Sequence, residues 1–145
     1  MVTPPEATGG TPGRGRLAGR RILVVGAGSQ PCDDADAPLG NGRAIAVLCA
    51  REGAAVACAD RDEAAARDTA QRITSEGNRA SVVIADVTDE AACARVVAEA
   101  EAAMGGLDGV VVNVGIGYGR GLEGTGADAW DLTFAINLRA HFLVA

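Results

Sequence analysis

From Arg21 onward, the chain alternates between short apolar runs rich in β-branched residues and longer segments with apolar residues at helical spacing. The apolar runs predict buried strands at 22–25, 54–59, 80–85 and 107–114. The helical spacing predicts helices over 42–52, 62–76, 88–104 and from about 128 to the end. Strands without a polar face, joined by helices, require a parallel sheet covered on both sides. The sequence therefore predicts an α/β fold with a doubly wound parallel sheet of about four strands.

Composition narrows the classes of function. A length of 145 residues suggests one domain. Residues 1–19 are rich in Thr, Pro, Gly and Arg without periodicity, which predicts a disordered tail before a domain over 20–145. All 13 basic residues are arginine, which excludes any mechanism that needs a lysine from this chain. The net charge of −6 argues against nucleic acid or an anionic membrane as a partner.

Localisation and metal binding are addressed by the same inventory. The sequence contains neither an apolar run long enough to cross a bilayer nor the apolar core of a secretory signal. The four cysteines form no C-x-x-C pair, and His141 is the only histidine. We expect reduced, mostly buried cysteines in a cytoplasmic protein and no metal site. These cysteines are Cys32, Cys49, Cys58 and Cys93.

A glycine-rich segment follows the first predicted strand. Gly26, Gly28 and Ser29 come directly after the strand, and Gly40-Asn41-Gly42 opens the next helix. Glycines at a strand-to-helix junction let the backbone approach a pyrophosphate, whose charge meets the positive end of the helix. The spacing and position favour a nucleotide site over simple turn glycines.

Polar residues end the second and third strands. Asp60 can hydrogen-bond the two hydroxyls of an adenosine ribose and would repel a 2′-phosphate, although the neighbouring Arg61 could meet one. From Gly26 to Asp60 is 34 positions, and leaving out the ten residues 30–39 reduces this to 24, close to the roughly 20 expected of a dinucleotide site. Asp86 and Val87 follow strand three, where an adenine would lie. The carboxylate of Asp60 therefore favours NAD over NADP as the cofactor.

Two asparagines also occupy informative positions. Asn113 ends the apolar fourth strand and needs hydrogen-bond partners there, while Gly115 lets a ligand pass close to the backbone. Asn137 shares a helical face with Trp130, Phe134 and Leu138, a stripe that we expect to be buried. Thr125 and Asp128 predict a capping box at the start of that helix.

Taken together, the chain resembles the N-terminal, cofactor-binding half of the short-chain dehydrogenase/reductase family over about residues 20–145. The resemblance depends on five motifs in the family's order, with Val25 in place of the family's threonine and Val112 in place of its first strand asparagine. These motifs are Gly26-Ala27-Gly28-Ser29 with Gly40-Asn41-Gly42-Arg43-Ala44, then Asp60, then Ala85-Asp86-Val87, then Val112-Asn113-Val114-Gly115, and finally Trp130-Asp131 with Asn137-Leu138.

The resemblance implies a Rossmann-like fold and an oxidoreductase that moves a hydride between NAD(P) and a carbonyl or alcohol substrate. In this family a Ser, a Tyr and a Lys act on the substrate, and the helix asparagine, matching Asn137, holds a water in the proton relay. Tyr118 does not match the family's tyrosine, because Leu122 stands where the lysine of Tyr-x-x-x-Lys would be. The chain alone is therefore expected to be inactive. We expect it to be a fragment that is truncated after about four strands. The full-length protein is a possible homo-oligomer.

Two alternatives remain open. The chain could be a stand-alone, non-catalytic NAD-binding module, although its fourth strand would then form an exposed apolar edge. It could also be an S-adenosylmethionine methyltransferase, against which Asn113, Gly115 and Asn137 argue.

Residues 30–39 carry Asp33, Asp34 and Asp36 close to the glycine segment, and we expect an exposed surface loop there.

Overall fold

A computed structural model describes residues 9–29, 39–119 and 121–145 of the chain. Strands and helices alternate along the sequence. The strands are β1 (Arg21–Val25), β2 (Ala55–Asp60), β3 (Arg79–Ile84) and β4 (Gly109–Val112). The helices are α1 (Asn41–Arg51), α2 (Glu63–Ser75), α3 (Glu90–Met104), α4 (Ala127–Phe134) and α5 (Ala140–Val144), with a π-helical turn (Ala135–Arg139) joining the last two.

The four strands form one parallel sheet in the order β3-β2-β1-β4. The chain builds outward from β1 to β3 and then crosses back to place β4 on the other side of β1. The order therefore reverses between β1 and β4, which is where an open α/β sheet opens a crevice at its carboxyl edge. The predicted doubly wound parallel sheet is confirmed.

Helices cover both faces of the sheet because side chains alternate along each strand. Ile22 and Val24 of β1 point to the face where α1 and α2 pack, and Ile73 of α2 is fully buried there. Leu23 and Val25 point to the opposite face, where α3 and α5 pack. Each central strand is thus buried on both sides, as its unbroken apolar sequence requires.

The edge strand β4 departs from its prediction. It covers Gly109–Val112 rather than 107–114, and Val110 is 39% exposed. Within the described residues only β1 pairs with it. Its start is anchored by Asp108, whose carboxylate accepts the Nε of Arg21 at 2.8 Å and the Arg21 backbone N–H at 2.9 Å.

Two expectations for the last helical segment are wrong. The structure caps α4 with Gly126 and shows no side-chain hydrogen bond to its first turn, because Thr125 Oγ1 donates to the Gly121 carbonyl instead. The expected buried stripe faces away from the sheet: Trp130 is 57% exposed and Leu138 is 61% exposed. The buried residues of this segment are aliphatic, namely Ile136, Ala140 and Val144.

Part of the predicted tail lies against the domain. Glu52 ends α1 and is only 6% exposed. Its carboxylate accepts the backbone N–H groups of Arg14 and Arg16 and the Arg16 guanidinium. These bonds, led by the guanidinium, lower the pKa of Glu52 to about 2. Leu17 packs into the core on the same side of the sheet, so residues 14–19 are tied to the body where the sequence predicted a tail.

The described cysteines follow the expected pattern. Cys58 and Cys93 are fully buried free thiols and Cys49 is half-buried. Burial raises the pKa of Cys58 to about 12, so this thiol is protonated and unreactive at neutral pH. Cys32 lies outside the described residues, as does nearly all of the acidic segment 30–39.

Candidate functional site

A cleft of about 840 Å³ opens at the carboxyl edge of the sheet, beside the point where the strand order reverses. All twelve residues predicted to contact a cofactor line it. They are Gly26, Gly28, Ser29, Gly40, Asn41, Gly42, Asp60, Arg61, Asp86, Val87, Asn113 and Gly115. The topology thus brings together the ends of all four strands and the start of α1, as expected of ligand sites in such sheets.

The glycine segment after β1 is held tightly against β2. The backbone N–H groups of Gly26 and Ala27 both donate to the Ala59 carbonyl, at 2.8 and 2.9 Å. Gly26 has a φ of +80°, a conformation that a side chain would strain. Gly42 approaches so closely that a Cβ there would lie 1.7 Å from the Gly26 carbonyl oxygen. Glycine at position 42 is therefore required for α1 to start beneath this loop.

The N-terminus of α1 faces the cleft. Helix α1 begins at Asn41, and among the described residues its first turn has neither a side-chain cap nor an acidic residue. The first backbone N–H groups of a helix have no partner within the helix and carry its positive dipole end. Before the helix, the Ser29 hydroxyl accepts the Gly40 N–H at 3.2 Å. This arrangement suits an anionic group such as a pyrophosphate.

Asp60 links three parts of the cleft. One carboxylate oxygen accepts the Gly28 N–H at 2.8 Å, and the other accepts the Asp62 N–H at 3.1 Å. Asp62 in turn caps α2 by accepting the Ala65 N–H, as predicted. Each carboxylate oxygen keeps further acceptor capacity for a donor from a ligand. The exposed Arg61 lines the cleft next to Asp60.

Asp86 is oriented by its own turn. One carboxylate oxygen accepts the Thr88 backbone N–H at 2.9 Å and the Thr88 hydroxyl at 2.7 Å. The bond from the Thr88 backbone, followed by that from its hydroxyl, lowers the pKa of Asp86. Val87 is buried beside it. The pair forms the wall of the cleft beyond β3, with one charged and one apolar member.

Asn113 and Asn137 have different positions. Asn113 lines the cleft, and its side-chain nitrogen lies 3.5 Å from the Gly26 carbonyl oxygen. Asn137 sits in the π-helical turn and is exposed rather than buried. Its amide forms two bonds of 2.8 Å with the backbone of Ile116, donating to the carbonyl and accepting the N–H. Asn137 therefore holds the loop that follows β4 at the mouth of the cleft.

Sequence reasoning missed part of the lining. The additional wall residues are mostly apolar, and their alternation along the strands gives no signal that distinguishes cleft from core. They are Val25, Asp62, Ala65, Ala85, Val112, Val114, Ile116 and Ile136. Tyr118 is not among the lining residues in the described part of the chain.

The described residues contain neither a cluster of metal ligands nor a membrane-spanning helix. No group of three or more His, Cys, Asp or Glu side chains among them could hold a metal ion. No helix in the described ranges has the length and hydropathy needed to cross a bilayer.

Sequence comparison identifies relatives of this chain. The family model described as enoyl-(acyl carrier protein) reductase matches residues 37–145. A Mus musculus (3R)-3-hydroxyacyl-CoA dehydrogenase is 37% identical over 137 residues, covering 89% of this chain and 49% of that protein. A 2-(S)-hydroxypropyl-CoM dehydrogenase 3 of Xanthobacter autotrophicus is 34% identical over 130 residues, covering 90% and 47%.

Structural comparison agrees. The crystal structure of a short-chain dehydrogenase from Mycobacterium smegmatis superposes with a TM-score of 0.82 and 25% identity, covering 92% of this chain and 52% of that one. The chain spans about half the length of the relatives it matches. Its sheet order, its glycine-lined cleft and these matches lead to one assignment: the chain belongs to the short-chain dehydrogenase/reductase family.

Proposed function

We propose that this chain supplies the NAD-binding half of an oxidoreductase that moves a hydride between NAD(P) and a carbonyl or alcohol substrate. The observation that carries the proposal is the single cleft lined by all twelve predicted cofactor residues. Membership of a family of dehydrogenases supports it, because the relatives are named as enzymes of that class. The family assignment also leaves the methyltransferase alternative without support.

The cleft fits a dinucleotide. The uncapped start of α1 would receive the pyrophosphate. The absence of a side chain at Gly42 lets α1 start directly against the Gly26 carbonyl, which places this helix end at the cleft. Asp60 would accept hydrogen bonds from the adenosine ribose, with the adenine beside Asp86 and Val87. Asn113 and Gly115 would border the nicotinamide end. The bound cofactor would supply or accept the hydride, and the residues named here would hold it in place.

The cofactor preference depends on charge. Asp60 presents a carboxylate where a ribose 2′-substituent would lie, so a 2′-phosphate would be repelled there. Arg61 is exposed beside it and would offset part of this repulsion. We therefore propose NAD as the preferred cofactor, with NADP weaker.

The remaining features of the whole protein follow from the same proposal. The family's serine, tyrosine and lysine have no match in this sequence, which contains no lysine, so the isolated chain would bind cofactor without turnover. Asn137 would serve the proton relay through its place in the π-helical turn. The full-length protein would act on a small carbonyl or alcohol compound in the cytoplasm. It could pair with a second copy, and the exposed side chains of Phe134 and Phe142 are available for such a contact.

Calorimetric titration of the 145-residue chain with NAD⁺, NADP⁺ and S-adenosylmethionine tests the proposal. We expect saturable binding of NAD⁺, weaker binding of NADP⁺ and none of S-adenosylmethionine. A folded chain that binds none of the dinucleotides at millimolar concentration would refute the proposal. Circular dichroism on the same sample establishes that the chain is folded.

A further inference from the structure

Thr69 is a buried polar residue that lies outside the lining of the cleft. It lies in the middle of α2 and is 0% exposed. Its hydroxyl oxygen lies 2.9 Å from the Ala27 carbonyl oxygen, at the centre of the glycine segment and 42 positions away in sequence. A second carbonyl, that of Ala65 in the same helix, lies 3.1 Å away. The side chain thus joins α2 to the loop that follows β1.

The Thr69 hydroxyl also accepts a hydrogen bond, from Arg43. The Nε of Arg43 lies 3.1 Å from the Thr69 oxygen, and a guanidinium can only donate. The Thr69 oxygen therefore accepts from Arg43, and its single proton is left for a carbonyl. The Ala65 carbonyl already receives a helical N–H, so the Ala27 carbonyl is the acceptor in need. A donor that is itself polarised by a cation forms a stronger hydrogen bond.

Arg43 is held in place as well. Its guanidinium forms an ion pair of 2.8 Å with Asp68, and its side chain is only 11% exposed. Arg43 belongs to the first turn of α1, directly after Gly42. A chain of contacts therefore runs from Asp68 through Arg43 and Thr69 to the Ala27 carbonyl, and it connects both helices on this face of the sheet to the glycine segment.

The glycine segment is held by hydrogen bonds on either side of that carbonyl. The N–H groups of Gly26 and Ala27 donate to Ala59, and the N–H of Gly28 donates to Asp60. The Ala27 carbonyl is the remaining polar group of the Ala27 residue, which is itself fully buried. Among the described residues, Thr69 is the one donor recorded for this carbonyl. Removing its hydroxyl would leave the buried carbonyl without a donor from that part of the chain, and the free-energy cost would favour rotation of the loop.

We propose that Thr69, oriented by Arg43, is a positioning residue of the nucleotide cleft, which holds the glycine segment in the geometry that receives a pyrophosphate. This inference builds on the proposed function. Thr69 itself would touch no ligand and would act only through the Ala27 carbonyl. Without the hydroxyl, the loop is not ordered before a ligand binds. Ordering it then takes part of the binding free energy, so the affinity falls for ligands that contact the loop.

The test compares two ligands in four forms of the protein: the unmodified chain and three variants. ADP-ribose reaches the glycine segment through its pyrophosphate, whereas adenosine occupies only the end near Asp60 and Asp86. We expect Thr69→Val to weaken ADP-ribose binding roughly tenfold, the equivalent of one hydrogen bond, while adenosine binding changes less than about twofold. Thr69→Ser keeps the hydroxyl and should restore ADP-ribose affinity. Thr74→Val serves as the control, because it removes an exposed hydroxyl that donates to the Gln71 carbonyl within α2.

Each outcome decides between the proposals. If the unmodified chain binds neither ligand, the proposed function fails. If it binds ADP-ribose and Thr69→Val binds equally well, only the positioning role fails. An equal loss for both ligands would also overturn it, because a general loss of structure does not distinguish the two ends of the cleft.

A second pair of variants covers the case in which Thr69→Val does not fold. Arg43→Met removes the guanidinium that bonds to Thr69, and Arg72→Met removes the same charge from a second arginine that contacts Asp68. We expect Arg43→Met to weaken ADP-ribose binding roughly threefold and Arg72→Met to leave it unchanged. Equal effects of the two substitutions would contradict the inference.

Discussion

The carboxylate of Asp60 accepts the backbone N–H of Gly28 at 2.8 Å, across 32 positions of sequence. The two residues are so close that a Cβ on Gly28 would lie 2.7 Å from that oxygen. The same carboxylate also accepts the Asp62 N–H. Asp60 therefore shapes the cleft in addition to offering it a negative charge, and these two contributions can be separated by substitution.

Asp60→Asn removes the charge and keeps one of the two acceptor oxygens. The amide oxygen can accept the Gly28 N–H, so this bond to the loop should be retained, while the bond from the Asp62 N–H and the repulsion of a 2′-phosphate are lost. We expect the ratio of NADP⁺ to NAD⁺ affinity to rise roughly tenfold. Calorimetry with both cofactors gives the ratio. The control is Glu63→Gln, which removes one negative charge at an exposed position in the first turn of α2. An unchanged ratio would show that another group sets the preference.

Gly42→Ala tests the close approach of α1 to the glycine segment. A Cβ at position 42 would meet the Gly26 carbonyl oxygen at 1.7 Å and the Asn113 side-chain nitrogen at 2.9 Å. We expect a loss of about 3 kcal/mol in the free energy of unfolding, and loss of NAD⁺ binding because α1 must shift. Urea denaturation and calorimetry measure the two effects. Gly117→Ala has nothing within 4 Å of its new methyl group and should change neither.

The stability of the chain should fall in acid because of Glu52. Its pKa in the folded state is about 2, below the usual 4.5, so it stabilises the fold above about pH 4.5 and this contribution is lost as the pH falls toward 2. Asp108, whose pKa Arg21 lowers to about 2, acts in the same direction. Glu52→Gln should flatten the decline in urea midpoint between pH 5 and pH 2.

The matched control for the acid experiment is Glu99→Gln, an exposed position in α3. Its urea midpoint should follow that of the unmodified chain at every pH. If Glu52→Gln follows the same curve, the contacts between Glu52 and the segment 14–16 do not contribute to acid stability.

Asn137→Ala tests the two hydrogen bonds by which Asn137 holds the loop after β4. The substitution removes both bonds to Ile116, each 2.8 Å long. We expect a loss of about 1 to 2 kcal/mol in the free energy of unfolding and faster hydrogen exchange at the Ile116 amide. Asp131→Ala, at an exposed position earlier in the same helical segment, should leave the exchange rate of that amide unchanged. Equal protection of the Ile116 amide in both variants would show that Asn137 does not hold this loop.

Much of the fold was predictable because hydrophobic periodicity is a local property of the sequence. The predicted limits of β1, β2 and β3 lie within one residue of the observed ones. The parallel order then follows from the apolar strands and their helical connections. The residues at the strand ends could be grouped into one cleft for the same reason, since parallel strands end at a common edge.

The errors arose where local pattern does not specify the partner. Trp130, Phe134 and Leu138 share a helical face and are exposed. The sheet packs instead against smaller side chains of the same segment, Ala140 and Val144. A close approach of helix to sheet favours small residues, and the periodicity of large ones does not reveal this. Thr125 likewise had a carbonyl at Gly121 within reach, which competes with the role in a capping box.

By itself the sequence determined the alternation of strands and helices, the two-sided burial of the sheet and the edge at which a ligand would bind, because these depend on apolar spacing and on the identity of the residues after each strand. Only the tertiary structure decided which polar groups meet: Asp60 with Gly28, Thr69 with Ala27 and Asn137 with Ile116. Such pairs are separated by 21 to 42 positions. Packing brings them to hydrogen-bond distance, and no pattern in the intervening sequence encodes that distance.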